Sequence, residues 1–306
     1  MSVGADAATA PDHLPGDPDR HDVPDGGRSG FVVVDGRQVH YLEWGRADRP
    51  SVLALHGGGQ TAYMYEQLGQ ALRDTHHVLA PDLPGHGDSD GLPGTAILGR
   101  HEIAASLPPL VAEFGLGKVA LVGASLGGIT AITLARSKPE LVQAIVLIDV
   151  GHQLEEAGVQ RIIKFMSEHE SFGSLEEAAS AIAEYAPRKS KARTTSLTRN
   201  LRQRSDGRWI WKHGFGRLRP GMPDPADSWR DILDGLDDDA RQVSVPALVL
   251  RGAESDVLSE DGARDVAELI PDGRVVVVPD AGHLTAADNP DGTVAHIKSF
   301  LADINW

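Results

Sequence analysis

Cysteine is missing from this chain of 306 residues, which excludes disulfides and thiolate-ligated metal sites. Positive charge is scarce. The 29 Lys and Arg against 44 Asp and Glu leave a formal net charge of −15, which argues against a general nucleic-acid binder and favours solubility. No run approaches the ~18 apolar residues that crossing a bilayer requires. The opening residues, Met1-Ser-Val-Gly-Ala-Asp, lack the basic-then-apolar pattern of a secretory leader, so the expected compartment is the cytoplasm. There is no G-x-G-x-x-G and no phosphate-loop Lys-Ser/Thr, and no His/Asp/Glu grouping has metal-ligand spacing. Gly57-Gly58-Gly59 alone does not make a nucleotide site, and no cofactor is expected. Internal repeats are absent.

What the chain does have is a core's worth of apolar residues, 41% of the total. Residues 1–29, rich in Pro, Gly, Asp and Ala, read as a disordered tail. Phe31 to Gly45 reads as two strands joined at Asp35-Gly36. Strands at Ser51–Leu55, His77–Leu83, Val119–Val122 and Ala144–Val150 then alternate with helical patterns at about 63–73, 98–114 and 129–136. Pro108-Pro109 should break the second of these. Such alternation predicts a mostly parallel sheet covered on both faces. From residue 151 to 241 the alternation stops. Helical patterns fill this stretch, one opening at Ser174-Leu-Glu-Glu with a capping box, and no strand stands out. Alternation resumes through Pro246–Gly252, 260–270, Arg274–Val278 and 291–302. The expected organisation is an α/β core, 30–150 and 242–306, interrupted by a helical insertion at 151–241.

The central stretch is Lys118-Val-Ala-Leu-Val-Gly-Ala-Ser-Leu-Gly-Gly. An apolar strand runs into Gly123-Ala-Ser125-Leu-Gly127, and a helix follows. In that context G-x-S-x-G places a serine on a sharp, strained turn with its hydroxyl clear of the sheet. A serine hydroxyl needs a base to take its proton and a third group to orient that base. Asp256, after the Pro246 strand, and His283, after the Arg274 strand, follow Ser125 in the required order. Both lie at carboxyl ends of strands, where open α/β sheets place their sites.

These pieces resemble the α/β-hydrolase fold family. The likeness rests on His56-Gly-Gly-Gly, Asp82-Leu-Pro-Gly-His-Gly-Asp-Ser, Gly123-Ala-Ser-Leu-Gly, Gly252-Ala-Glu-Ser-Asp and Gly282-His. It covers Phe31 to the C-terminus apart from the insertion. The resemblance implies an eight-stranded sheet, a Ser125–His283–Asp256 triad and a helical cap that sets the substrate. It also implies an oxyanion hole from the backbone N–H groups of Leu126 and Gly58, with Gly59 as the fallback. Losing one such donor typically costs on the order of 3 kcal/mol in barrier height. Asp149 is the rival acid. It ends the strand after the nucleophile helix, an arrangement similar to that of lactone hydrolases acting on zearalenone. Asp256 is preferred because Ser255-Asp256 sits where most of the family carries its acid. His56 is expected to brace the oxyanion loop and His86 to support loop geometry.

The insertion concentrates basic residues between Arg188 and Arg219, with only Asp206 opposed. They form either a solvated face paired with acids of the core or, for one or two of them, a clamp for an anionic ester. Phthalate-monoester hydrolases of this fold are a precedent for the clamp. Trp209 and Trp211 either line an apolar substrate pocket, beside Gly59, or belong to the core of the cap.

The expected activity is cleavage of a carboxylic ester through an acyl-enzyme, on a small molecule, by a monomer or homodimer. Lactone and carbon–carbon bond hydrolases share the same triad and stay open as alternatives. Serine at 125 argues against epoxide hydrolases and haloalkane dehalogenases, which use aspartate there. A non-catalytic ligand receptor on this fold is the alternative of a different class, and it would normally lose a triad member.

Overall fold

Asp35 and Gly36 both take positive φ, 50° and 73°. This two-residue turn matches the twist of paired strands and joins β1 (Arg28–Val34) to β2 (Arg37–Trp44) with Val34 opposite Arg37. The computed structural model describes residues 23–92, 99–186, 194–213 and 229–306. The strand already begins at Arg28, and Trp44 Nε1 donates to Asp25 O at 3.0 Å. Residues 23–29, expected in a loose tail, are therefore fastened to the sheet; residues 1–22 lie outside the described residues.

Next in order come β3 (Ser51–Leu55), a 3-10 turn at Ala62–Tyr65, α1 (Glu66–Leu72) and β4 (His77–Pro81). The region 98–114 forms two helices, α2 (Arg100–Ala105) and α3 (Leu107–Glu113), parted at Ser106. Pro108-Pro109 falls in the first turn of the second helix, where proline's missing N–H costs nothing. Then follow β5 (Val119–Ala124), α4 (Leu126–Ser137) and β6 (Val142–Ile148).

The inserted segment holds α5 (Glu156–Glu168), β7 (Ser171–Phe172), α6 (Leu175–Tyr185), β8 (Leu201–Gln203) and β9 (Trp209–Trp211). Ser174 caps α6 by accepting from Glu177 N, while Glu177 Oε2 accepts from Gly173 N one residue before the cap. The three short strands pair antiparallel in the order β7-β9-β8, so this segment is not purely helical as its sequence suggested. The chain returns to the core earlier than expected. Helix α7 (Leu236–Arg241) has Leu236 and Ala240 in the main core, and buried Arg100 bonds Asp239 and the Asp234 carbonyl. The chain finishes with β10 (Ala247–Gly252), α8 (Glu260–Leu269), β11 (Gly273–Val278), α9 (Thr285–Asp288) and α10 (Pro290–Ala302).

The large sheet has eight strands in the order β1-β2-β4-β3-β5-β6-β10-β11. Strand β2 runs antiparallel to β1 and β4, and the remaining pairs are parallel. Alternate residues of the central strands feed opposite faces. Leu53, Leu55, Leu121 and Leu147 pack with α2, α3, α4, α7 and α8, while Val52, Ala54, Val122 and Val146 pack with α1 and α10. Burial on both faces is why these strands read as unbroken apolar runs. Each fully buried Leu or Val contributes roughly 1.5–3 kcal/mol. No helix among the described residues is long and apolar enough to cross a membrane.

Candidate active site

Ser125 joins β5 to α4 with φ 47° and ψ −114°. A strand that must turn at once into a helix forces that conformation, and the residues two before and two after the serine have to be glycine. A Cβ on Gly127 would stand 1.9 Å from Leu55 O, and one on Gly123 would stand 2.3 Å from Gly127 O. Both are backbone contacts that cannot yield. Among the described residues, four non-glycine residues have positive φ: Asp35, Ser125, Asp149 and Asp280. Ser125 and Asp149 immediately follow β5 and β6, and Asp280 stands two residues past the end of β11. Strained backbone of this kind persists only where its surroundings over-determine it.

Those strand ends bring the histidine and its carboxylate together. Strands β5 and β6 are neighbours, and Ser125 N donates to Ile148 O at 3.1 Å. The next residue, Asp149, is fully buried. Its Oδ1 accepts from Gly252 N at 2.9 Å, and its Oδ2 accepts from Ser255 Oγ at 2.6 Å and from His283 Nδ1 at 2.8 Å. A carboxylate can only accept here, so Nδ1 carries the proton and Nε2 is left as the basic nitrogen of His283.

Asp256 is placed elsewhere. Its side chain is 44% exposed, and its carboxylate meets Arg161 of α5, with Nη2 at 2.9 Å from Oδ1 and 2.8 Å from Oδ2. The guanidinium also lies 5.0 Å over the Tyr185 ring. The pairing of His283 with Asp256 expected from the sequence is therefore replaced by a pairing with Asp149. The physical reason is local: of two adjacent side chains in the loop after β10, Ser255 points inward to Asp149 and Asp256 points outward to the inserted segment.

Leu126 is the first residue of α4. No helical turn precedes it to take its N–H, and the N-terminal end of the helix favours developing negative charge. Gly128 N and Ile129 N already donate to Ser125 O, at 2.9 and 3.0 Å. Facing this helix end is the loop after β3. Gln60 N donates to Gly57 O at 3.1 Å, which closes a turn with Gly58 and Gly59 at its centre, and Gly59 has φ 75°.

His56 is fully buried beneath this turn. Its Nδ1 donates to Gly57 O at 2.8 Å and its Nε2 accepts from Leu83 N at 2.9 Å, which fixes a neutral tautomer. Burial also pushes its pKa down. The expectation that His56 braces this loop matches those bonds. Gly59 sits under the inserted segment: a Cβ there would lie 3.0 Å from Met166 Cε and 3.4 Å from His213 Nε2. Neither Met166 nor His213 carries a sequence motif. Only the fold brings them over the glycine turn.

Trp209 and Trp211 pack within the inserted segment. Trp211 is buried with Phe172, Leu197 and Leu201, and its Nε1 donates to His169 O at 2.8 Å. Trp209 packs against the same cluster. The basic residues divide similarly. Arg199 forks onto Glu66 at 2.7 and 3.0 Å and lies 4.7 Å over Tyr63. Lys212 meets Asp88 at 2.8 Å, and Arg204 meets Asp206 at 2.9 Å. Arg199 and Lys212 thus bind acids of the core, the first of the two arrangements expected for the basic residues. Arg188, Lys189, Lys191, Arg193, Arg217 and Arg219 lie outside the described residues.

Among the described residues, one grouping has metal-ligand proximity: His40, Asp82 and Asp88. Its donors are committed otherwise. Asp82 accepts from His40 Nδ1 at 2.7 Å, Ala62 N at 2.7 Å and Asp88 N at 3.0 Å, while Asp88 holds Lys212.

Buried imidazoles make stability depend on pH. Burial drives the His86 pKa down to about 3, with the neighbouring His56 acting in the same direction. The unfolded chain has its ordinary imidazole value near ~6.5, so below that pH it binds a proton that the folded state refuses. Stability is then full above pH ~6.5 and falls by ~1.4 kcal/mol per pH unit and per such group on acidification. Denaturant titrations from pH 7 to pH 5 should show this slope. His86→Asn, which keeps a donor for the Pro84 carbonyl, should reduce it by about one proton; an unchanged slope would show that His86 is not the group responsible.

A family model for the alpha/beta hydrolase fold matches residues 50–290. The esterase Rv0045c of Mycobacterium tuberculosis is 29% identical over 282 residues, 88% of each chain. The 3-hydroxybutyrate-oligomer hydrolase of Cupriavidus necator is 27% identical over 287 residues, 86% of this chain and 94% of its own. Among solved structures, E-2-(acetamidomethylene)succinate hydrolase superposes with a TM-score of 0.77 over 90% of this chain and 99% of its own, at 24% identity. That last likeness concerns the fold alone.

Proposed function

We propose, from the premise that this chain belongs to the α/β hydrolase fold family, that it is a serine hydrolase cleaving carboxylic esters through an acyl-enzyme on Ser125. The observation that carries this reading is the Asp149–His283 pair, set at the same end of the sheet as the strained serine turn. In the proposed reaction His283 Nε2 takes the Ser125 proton as the oxygen attacks the ester carbonyl. The backbone N–H groups of Leu126 and Gly58 receive the oxyanion. The tetrahedral adduct collapses, and the proton passes from Nε2 to the leaving alcohol. Water then enters and attacks the acyl carbon, losing its proton to the same nitrogen; the bond to Ser125 breaks, Nε2 returns the proton to the serine oxygen, and the acid leaves. Asp149 holds the ring in the Nδ1–H tautomer throughout and offsets the imidazolium charge.

The relatives support an ester bond as the target, one being named an esterase and another a hydrolase of 3-hydroxybutyrate oligomers. Arg199 and Lys212 are paired with Glu66 and Asp88, which argues against these two residues as the holders of an anionic monoester. A lactone is the second reading, favoured by the acid standing after β6, the arrangement shared with lactone hydrolases acting on zearalenone.

The test is a substrate panel of p-nitrophenyl esters, 3-hydroxybutyrate oligomers, phthalate monoesters and macrolactones. It is run with rapid mixing to detect an acyl-enzyme burst, and with mass spectrometry of the quenched protein. A burst with the acyl mass on the Ser125 peptide is expected from neutral esters. A receptor would give neither burst nor adduct, and that result would overturn the proposal.

A further inference from the structure

We infer that Ser255 is a positioning residue for the Asp149–His283 pair, its hydroxyl holding the carboxylate in the orientation that His283 requires. The inference rests on the serine-hydrolase reading above and adds to it a group outside the triad.

A serine hydroxyl has one proton to donate and two lone pairs to accept with. At Ser255 both lone pairs are engaged, by Val257 N at 3.2 Å and Leu258 N at 3.1 Å. The single proton therefore has one destination, Asp149 Oδ2, at 2.6 Å. The rotor cannot turn away without breaking two backbone bonds. The loop that carries it is itself braced. Ser255 N donates to Gly252 O at 3.0 Å, and the Arg251 guanidinium donates to the Leu258 and Ala253 carbonyls at 2.8 and 3.3 Å.

The consequence falls on the imidazole. Oδ2 receives both the Ser255 hydroxyl and His283 Nδ1, while Oδ1 receives Gly252 N. The two donors outside the triad fix the plane of a carboxylate that is buried away from water. They also draw part of its charge, which tempers its pull on the imidazolium. Without the hydroxyl, Asp149 gains rotational freedom and offers His283 a more concentrated negative charge. The first change slows the chemical step. The second favours the protonated ring, so the base becomes available only at higher pH.

Ser255→Ala should lower kcat by ~10- to 100-fold, the usual range for losing one hydrogen bond to a charged group. KM should stay within about threefold, because Ser255 touches no substrate in this scheme. The acid limb of the kcat/KM profile should move to higher pH. Ser255→Thr, which keeps the hydroxyl, should restore both. Folding is checked by circular dichroism, and if the alanine variant does not fold, Ser255→Cys, a weak donor of similar size, is read in its place.

A wild-type kcat and pH profile in the alanine variant would overturn the inference. So would a lowered kcat with an unmoved acid limb, which is what mere loss of loop stability produces. Ser125→Ala and Asp149→Asn are measured alongside. If those two are inactive and Ser255→Ala is normal, the inference about Ser255 alone fails. If Ser125→Ala still turns over substrate, the serine-hydrolase reading fails first.

Discussion

Asp149→Asn should lower kcat by ~10⁴-fold, whereas Asp256→Asn should leave it within about threefold. The contrast follows from what each carboxylate touches. Asp149 is buried and accepts from Gly252 N, the Ser255 hydroxyl and His283 Nδ1. An amide at 149 presents one acceptor oxygen and an NH2 where two donors already point. To relieve that clash the His283 ring must take the other tautomer, with its proton on Nε2, and can no longer accept the Ser125 proton. Asp256 makes a half-solvated pair with Arg161, and such pairs are typically worth ~0–1 kcal/mol. Steady-state kinetics of the two variants on one neutral ester decide the matter. Loss of activity in Asp256→Asn with turnover retained in Asp149→Asn would restore the acid to the position that most of the family uses.

Ser125→Ala should lower kcat by about 10⁶-fold, the scale seen when a hydrolytic nucleophile is removed from an otherwise intact site. The same position carries a second, opposite effect. Its φ of 47° is unfavourable for any residue with a Cβ. Alanine keeps that strain and glycine does not. Ser125→Gly should therefore be as inactive as Ser125→Ala and yet melt at a higher temperature. Calorimetry of both variants beside the wild type checks this. Equal melting temperatures for the two would mean that the turn stores no strain at Ser125.

The parts of the fold that were legible in the sequence are those where a short stretch dictates its own geometry. Asp35-Gly36 specifies a hairpin turn, and the apolar runs at β3, β5 and β6 specify buried strands. Gly123-Ala-Ser-Leu-Gly127 specifies the serine turn, because no side chain fits at either glycine. The three-stranded sheet of the inserted segment was not legible. Its strands span two or three residues, too few to show a period of two, and Trp209-Ile-Trp211 reads equally as any apolar patch. The partner of His283 was not legible either. Asp149 and Asp256 both follow strands of one sheet, and the choice turns on which of two adjacent side chains, at 255 or 256, faces inward. Pairings such as Arg199 with Glu66 join residues 133 positions apart and leave no local trace.

The inserted segment is sewn to the core along two seams of unequal strength. One seam, beside the glycine turn, combines the Arg199 fork on Glu66 with its stacking over Tyr63, the Thr61–Asn200 bond and the Lys212–Asp88 pair. The other, beside the loop after β10, joins the half-exposed Arg161–Asp256 pair to a backbone bond from Glu155 N to Val257 O at 2.8 Å. Dissolved ions weaken exposed pairs more than sheltered ones, with a screening distance of ~10 Å at 0.1 M. Rising ionic strength thus weakens the half-exposed Arg161–Asp256 pair ahead of the more sheltered Arg199–Glu66 fork, so that the second seam comes to depend on its backbone bond while the first keeps its charges.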